Sequence, residues 1–146
     1  MYTRAWQLIV GILLSLTATG MIGALVTTGA TATFFDNLHW TASFSAGGLF
    51  ALHGLQTAPN GRTRRMRIWF VAGLAMLVTG QLIWNGQTWL GIDGFPVPSD
   101  LFFLSVGPCL TAGLWQIGRY QLRPADWRLV WLDALASLAA CLAAMM

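Results

Sequence analysis

Apolar residues collect into five runs, at roughly Leu8–Thr28, Trp40–Gln56, Ile68–Trp84, Leu101–Gly118 and Leu129–Met146, with short polar clusters between them. At about 1.5 Å rise per residue each run would form a helix of about 25–31 Å, the thickness of a bilayer core. The pattern predicts an all-α integral membrane bundle of about five transmembrane helices, running up and down as one domain over residues 1–146. The second run is the most polar, diluted by Thr41, Ser43, Ser45 and His53, and is expected to be stable only against neighbouring helices. The first has Arg4 before it and an Ala30-Thr31-Ala32 cleavage pattern behind it. Its apolar stretch of about 20 residues nevertheless exceeds the ~7–15 of a signal sequence, so a retained span is the reading adopted. The fifth run stops at Met146 with no capping or flanking polar residue, which leads us to expect a fragment of a longer chain.

Composition fits this picture. Hydrophobic residues make up 56% and charged residues 9% of the chain, with a mean hydropathy of +0.63. Soluble domains carry roughly 25% charged residues, far more than this chain could offer to water. The net charge of +3 comes from arginine alone, opposed by aspartate alone.

Arginine position sets the orientation. Arg4 precedes the first run, Arg62, Arg64, Arg65 and Arg67 separate the second from the third, and Arg119, Arg123 and Arg128 separate the fourth from the fifth. The alternate connections hold Asp36, Asp93 and Asp100 and no arginine. The positive-inside rule then makes the N-terminus cytoplasmic in a multi-pass arrangement. Tryptophans agree: Trp6, Trp69, Trp115, Trp127 and Trp131 fall near the arginine ends, and Trp40, Trp84 and Trp89 near the opposite ends. Indole prefers the headgroup level, with its ring buried and its N–H wet. Once the arginines are assigned to loops no basic surface remains for nucleic acid, and that partner class is excluded.

Small residues recur every fourth position at Gly11, Ser15, Thr19 and Gly23, at Ser43, Gly47 and Ala51, and at Ala136, Ala140 and Ala144. Such stripes let helix backbones approach closely, and packing within the chain is preferred over a dimer face.

Chemistry-bearing residues are few. No phosphate-cradling glycine loop with lysine and no paired carboxylates in a soluble segment occur, so no catalytic residues are assigned and the chain is read as a non-enzyme. His39 and His53 lie 14 residues apart, about 21 Å on one helix, and cannot share a metal. Cys109 and Cys141 sit in apolar runs without ligand spacing, and no metal or cofactor is assigned. The polar-network and ligand candidates are Asp133, His53, Gln81, Asn85, Trp84 and Trp89. Polar groups at membrane depth are costly and retained for a reason. Asp133 and His53 would lie at similar depth near the cytoplasmic side, although an interfacial pairing of Asp133 with Arg119 or Arg128 is the preferred reading. Gln81 and Asn85 stand one turn apart, either lining a polar cavity or bonding across helices. The segment Asn85–Asp100 reads as an outer loop in which Pro98 stiffens the exit, Ser99 caps the next helix, and Trp84 and Trp89 could form a ligand lip.

The stretch from Arg67 to Asp133 resembles the multi-helix membrane region at the N-terminus of bacterial diguanylate cyclases and related cyclic-di-GMP signalling proteins. The resemblance is carried by the Trp84 helix end, Pro96-Val-Pro-Ser-Asp-Leu-Phe-Phe-Leu104, Gly113-Leu114 before Arg119, and Trp131-Leu-Asp-Ala-Leu135. Gly107-Pro108 departs from that family's pattern, and the cytoplasmic cyclase domain is missing. The resemblance implies a sensory input module in a bacterial cytoplasmic (inner) membrane, separated from its catalytic output. The alternative is a small accessory subunit packing around a larger membrane complex. Partners on either reading are the lipid bilayer and a homodimer mate or larger assembly.

Overall fold

Helix extends well beyond the apolar runs. The computed structural model describes residues 4–92 and 94–121, and among them regular structure is entirely α-helical. The elements are α1 (Arg4–Val26), α2 (Gly29–Gln56), α3 (Arg62–Leu90) and α4 (Pro98–Gln121). Each packs mainly on its neighbour in sequence, α1 on α2, α2 on α3 and α3 on α4. Antiparallel register is fixed by contacts at both ends of the pairs. Trp6 meets Phe50 and His53 across α1 and α2, and Gly73 faces Cys109 while Gly113 faces Phe70 across α3 and α4.

Local chemistry explains the boundaries. Thr27 donates its N–H to the Gly23 carbonyl, Thr28 is extended, and Gly29 takes φ +62°, so the chain reverses within two residues. The left-handed φ is open to glycine at little cost, which lets α2 start at once. The expected connection before Trp40 is therefore wrong. Residues 29–39 are helix, the Ala30–Ala32 pattern lies in the first turn of α2, and Trp40 stands about 16 Å inside that helix. The arginine cluster is likewise the first turn and a half of α3 rather than loop.

At the other end of α3, helix continues through Asn85 to Leu90 and is closed by Gly91 at φ +64°, with Ile92 donating to the Gln87 carbonyl. The expected loop shrinks to residues 91–97. Pro98 opens α4, where a missing N–H costs nothing. Ser99 does not cap it. Asp100 does, accepting the Val97 N–H at 2.8 Å, while its own N–H donates to the Val97 carbonyl. Ser99 is instead fully buried, and its hydroxyl has no protein partner among the described residues.

Packing is small and polar inside, large and apolar outside. Ala42 and Ala46 are the buried hydrophobic side chains among the described residues, accompanied by Asn37, Gln81, Gln87 and Ser99. Glycines fill the tightest seams: Gly20 and Gly23 against Phe35 and His39, and Gly80 against Phe102 and Phe103. Leu8, Ile12, Met21, Ile22, Leu25 and Val26 of α1 point outward, as do Leu82 of α3 and Leu101, Leu104 and Leu114 of α4. Helix hydroxyls turn back on their own backbone. Ser15, Thr17, Thr41, Thr88 and Ser105 each donate to the carbonyl four residues earlier.

The small-residue stripes fall differently from expectation. Gly11, Ser15 and Thr19 face away from α2, and a Cβ at Gly11 would touch nothing within 4 Å. Gly23 alone of that stripe packs internally, joined by Gly20. The reason is the angle: positions 6, 10, 13, 17 and 20 form the face toward α2, and an every-fourth stripe drifts off it. On α2, Ser43, Gly47 and Ala51 are half-buried, and a Cβ at Gly47 would lie at an ordinary 3.6 Å from Leu74.

The five-span expectation becomes four described helices. Of these α1 and α3 are long and apolar enough to cross a membrane, by length and composition. The fifth run, with Asp133 and the Ala136–Ala144 stripe, lies outside the described residues.

Candidate functional site

Because α2 begins at Gly29 and α3 runs to Leu90, their arginine-free halves lie side by side with the start of α4. A cleft of about 400 Å³ opens there. Asp36, Asn37, Trp40 and Phe44 come from successive turns of α2, Leu77, Gln81 and Trp84 from α3, and Asp100 and Phe103 from α4. The spacing of four along α2 and α3 places each set on one helix face. Trp40 is held by its neighbours, with ring centres 4.4 Å from His39 and 5.3 Å from Phe44. Asp36 lies 3.5 Å from His39 Nδ1, an ion pair when the imidazole is protonated.

A polar relay forms the floor. Gln81, 4% exposed, donates its Nε2–H to Asn85 Oδ1 at 2.9 Å. Asn85 donates its Nδ2–H to Thr41 Oγ1 at 2.9 Å, crossing from α3 to α2. Thr41 in turn donates to the Asn37 carbonyl at 2.7 Å. Behind it a second cavity of about 150 Å³ is lined by Phe34, Asn37, Leu38, Thr41, Asn85 and Trp89. Asn37 borders both spaces. The relay fixes the side-chain amides in one sense, donor toward α2, and anchors the two helices at the depth of the cleft.

Of the sequence candidates, Gln81, Asn85 and Trp84 come together here. Gln81 lines the cleft, while Asn85 bonds across to Thr41 of α2. Trp89, 81% exposed, borders the smaller cavity, whereas Trp84 lines the larger one. His53 sits at the opposite end of α2 with its ring 5.0 Å from Trp6. Nearby, the Arg67 guanidinium donates to the Gly54 carbonyl and closes the α2–α3 connection. Asp133 lies outside the described residues.

Asp36, Asn37, Trp40, Thr41, Asp100 and Phe103 were missed as site residues. A signal existed for some of them, because Asn37 and Thr41 repeat the one-turn spacing of Gln81 and Asn85. It was hidden by placing residues 29–39 in a loop. Gln87, buried on α3 with neither amide atom partnered among the described residues, was also missed.

Charge divides sharply along the helices. Asp36 and Asp100 face the cleft, whereas Arg4, Arg62, Arg64, Arg65 and Arg67 all belong to the other end. Comparison of the chain with protein-family models, curated proteins and solved structures finds no match.

Proposed function

We propose that the chain is a membrane-embedded sensory input module, multi-pass in a bacterial inner membrane, that takes a small ligand in the cleft between α2, α3 and α4 at its outer side. The observation carrying this reading is the cleft itself, set at the arginine-free end and floored by a hydrogen-bonded relay joining two helices. Membrane placement is supported by the inverted packing, with glycine, alanine and amides inside and leucine and isoleucine outside. A face of large aliphatic side chains suits lipid, and close small-residue contacts replace the hydrophobic drive that lipid removes. Hydroxyls folded back onto helix carbonyls serve the same end, since hydrocarbon offers them no partner. Arginine at one end alone supports a cytoplasmic N-terminus. A ligand wedged between α2 and α4 would shift α4 against α3, and a shift of that kind is how a helical bundle reaches an output domain. Cyclic-di-GMP synthesis as the output rests on the resemblance of the Arg67–Asp133 stretch.

Accessibility tests this placement. In a variant with Cys109 and Cys141 replaced by alanine, Thr28→Cys and Phe95→Cys are expected to react with a membrane-impermeant maleimide in intact cells. Asn60→Cys should react only after permeabilisation. Labelling of Asn60→Cys in intact cells would overturn the orientation, and with it the outward-facing cleft.

The accessory-subunit reading is favoured by one feature, the outward face of Gly11, Ser15 and Thr19 on α1. If that face seats a partner helix, a photoactivatable benzophenone amino acid at position 15 should give a cross-link in membranes while one at position 14 does not. Equal cross-linking of both would remove this support.

A further inference from the structure

We propose that the cleft binds a small organic cation with an apolar body, an ammonium held between the indoles of Trp40 and Trp84 and neutralised by Asp36 and Asp100. The inference rests on the reading of this cleft as the input site and names its ligand class. Three features lead to it. The cleft receives carboxylates from two different helices and no cationic side chain apart from His39 beside Asp36. With every described arginine at the far end of the helices, the field in the cleft attracts cations and repels anions. Its walls are aromatic, and the face of an indole is the strongest aromatic partner for a cation that keeps its charge but has shed water.

The remaining lining fits an ammonium better than a metal ion. The cleft offers few protein oxygens, and one of Asp100 already accepts the Val97 N–H, so calcium or magnesium there would remain largely hydrated. Phe44, Leu77 and Phe103 supply apolar surface that a bare ion would leave unused but an alkyl or aryl body would cover. Among the described residues the Gln81 amide makes one hydrogen bond, donated to Asn85, so its Oε1 remains available to a hydroxyl or N–H on the ligand. A free amine and the ammonium headgroup of a phospholipid share this chemistry.

The test uses an isosteric trio: choline, the neutral 3,3-dimethylbutan-1-ol and the anionic 3,3-dimethylbutanoate. Each is titrated into the full chain in maltoside detergent and followed by calorimetry. Choline is expected to bind at least about ten times more tightly than the alcohol, the range given by one or two indole contacts with a partly dehydrated cation. The butanoate should not bind. Asp36→Asn and Asp100→Asn should each weaken choline about tenfold, and Trp40→Leu and Trp84→Leu should weaken it while narrowing its margin over the alcohol. Asn at position 100 can still accept the Val97 N–H, and circular dichroism checks that every variant keeps its helix content. Arg64→Gln serves as the control that should change nothing. Adding phosphatidylcholine to the micelles separates the two sources. Competition with free choline would identify the headgroup as an occupant, and no competition would identify a free amine. Equal binding of choline and the alcohol, preference for the butanoate, or no effect of the two aspartate substitutions would overturn the cation assignment. So would failure of all three probes to bind the folded protein. In each of those cases the input-module reading still stands if the cysteine labelling pattern holds, whereas a reversed labelling pattern defeats that reading whatever binds.

Discussion

Gly20→Leu is expected to separate α1 from α2 and to lower the melting temperature more than any neighbouring change. A Cβ there would lie 2.6 Å from the His39 backbone nitrogen, 2.7 Å from its Cβ and 2.8 Å from the Phe35 carbonyl oxygen. Backbone atoms cannot rotate away, so the helices must move apart, and the loss extends along a seam that includes Gly23. Overpacking usually costs about 1–3 kcal/mol, and a clash with backbone belongs at or above the top of that range. Gly47→Ala is the control. Its added Cβ would make an ordinary 3.6 Å contact with Leu74, and alanine favours helix by up to about 1 kcal/mol over glycine. It should therefore be neutral or slightly stabilising. Thermal unfolding in maltoside by circular dichroism decides between them. Equal melting of Gly20→Leu and the parent chain would show that α1 does not lie against α2 in this register.

Asn85→Leu should rank second, and its effect should reach the cleft. The substitution removes both the acceptor for Gln81 and the donor to Thr41, leaving a buried amide without a partner. An orphaned buried amide costs about 1–3 kcal/mol in water-soluble proteins, while polar bonds between membrane helices average about 0.6 and reach about 1.7 kcal/mol. A loss of about 1–2 kcal/mol follows, with Gln81 freed to rotate in the cleft. Thr41→Val keeps the shape and removes the α2 end of the relay. If the relay acts as a unit, the double variant should lose at least about 0.5 kcal/mol less than the sum of the single changes. Strict additivity would mean that the Asn85–Thr41 bond contributes nothing to joining α2 and α3.

Much of the architecture was legible in composition and spacing. Apolar runs separated by arginine clusters and turn residues are sufficient to place α1, α3 and α4, because helix in an apolar chain is driven by the backbone's need for internal hydrogen bonds. Position of arginine was enough to show that one end of the helices is basic and the other acidic. Gln81, Asn85 and Trp84 stood out as polar or amphipathic side chains within or beside apolar sequence, and the structure gathers them at one site.

The rest depended on which helix each segment could lean on. Residues 29–39 read as loop because Thr31, Thr33, Asp36 and Asn37 interrupt the apolar run. They are helical because the tight turn at Thr27–Thr28 lays them along α1, where Gly20 and Gly23 make room for Phe35 and His39. The residues after Trp84 read as loop for the same reason, and they are helical because the Asn85 amide bonds to Thr41 of α2. The first misplacement hid the cleft, because Asp36 and Asn37 of that α2 extension line it together with α3 and the start of α4. The seam of α1 was also beyond the sequence, because spacing shows which residues share a face but not which face a neighbour covers. The sequence by itself determined the helical class, the charge polarity and the presence of polar groups at the arginine-free end. Tertiary structure decided which small residues lie in contact, where helices stop and which side chains share a cavity, because each of these depends on partners distant in the chain.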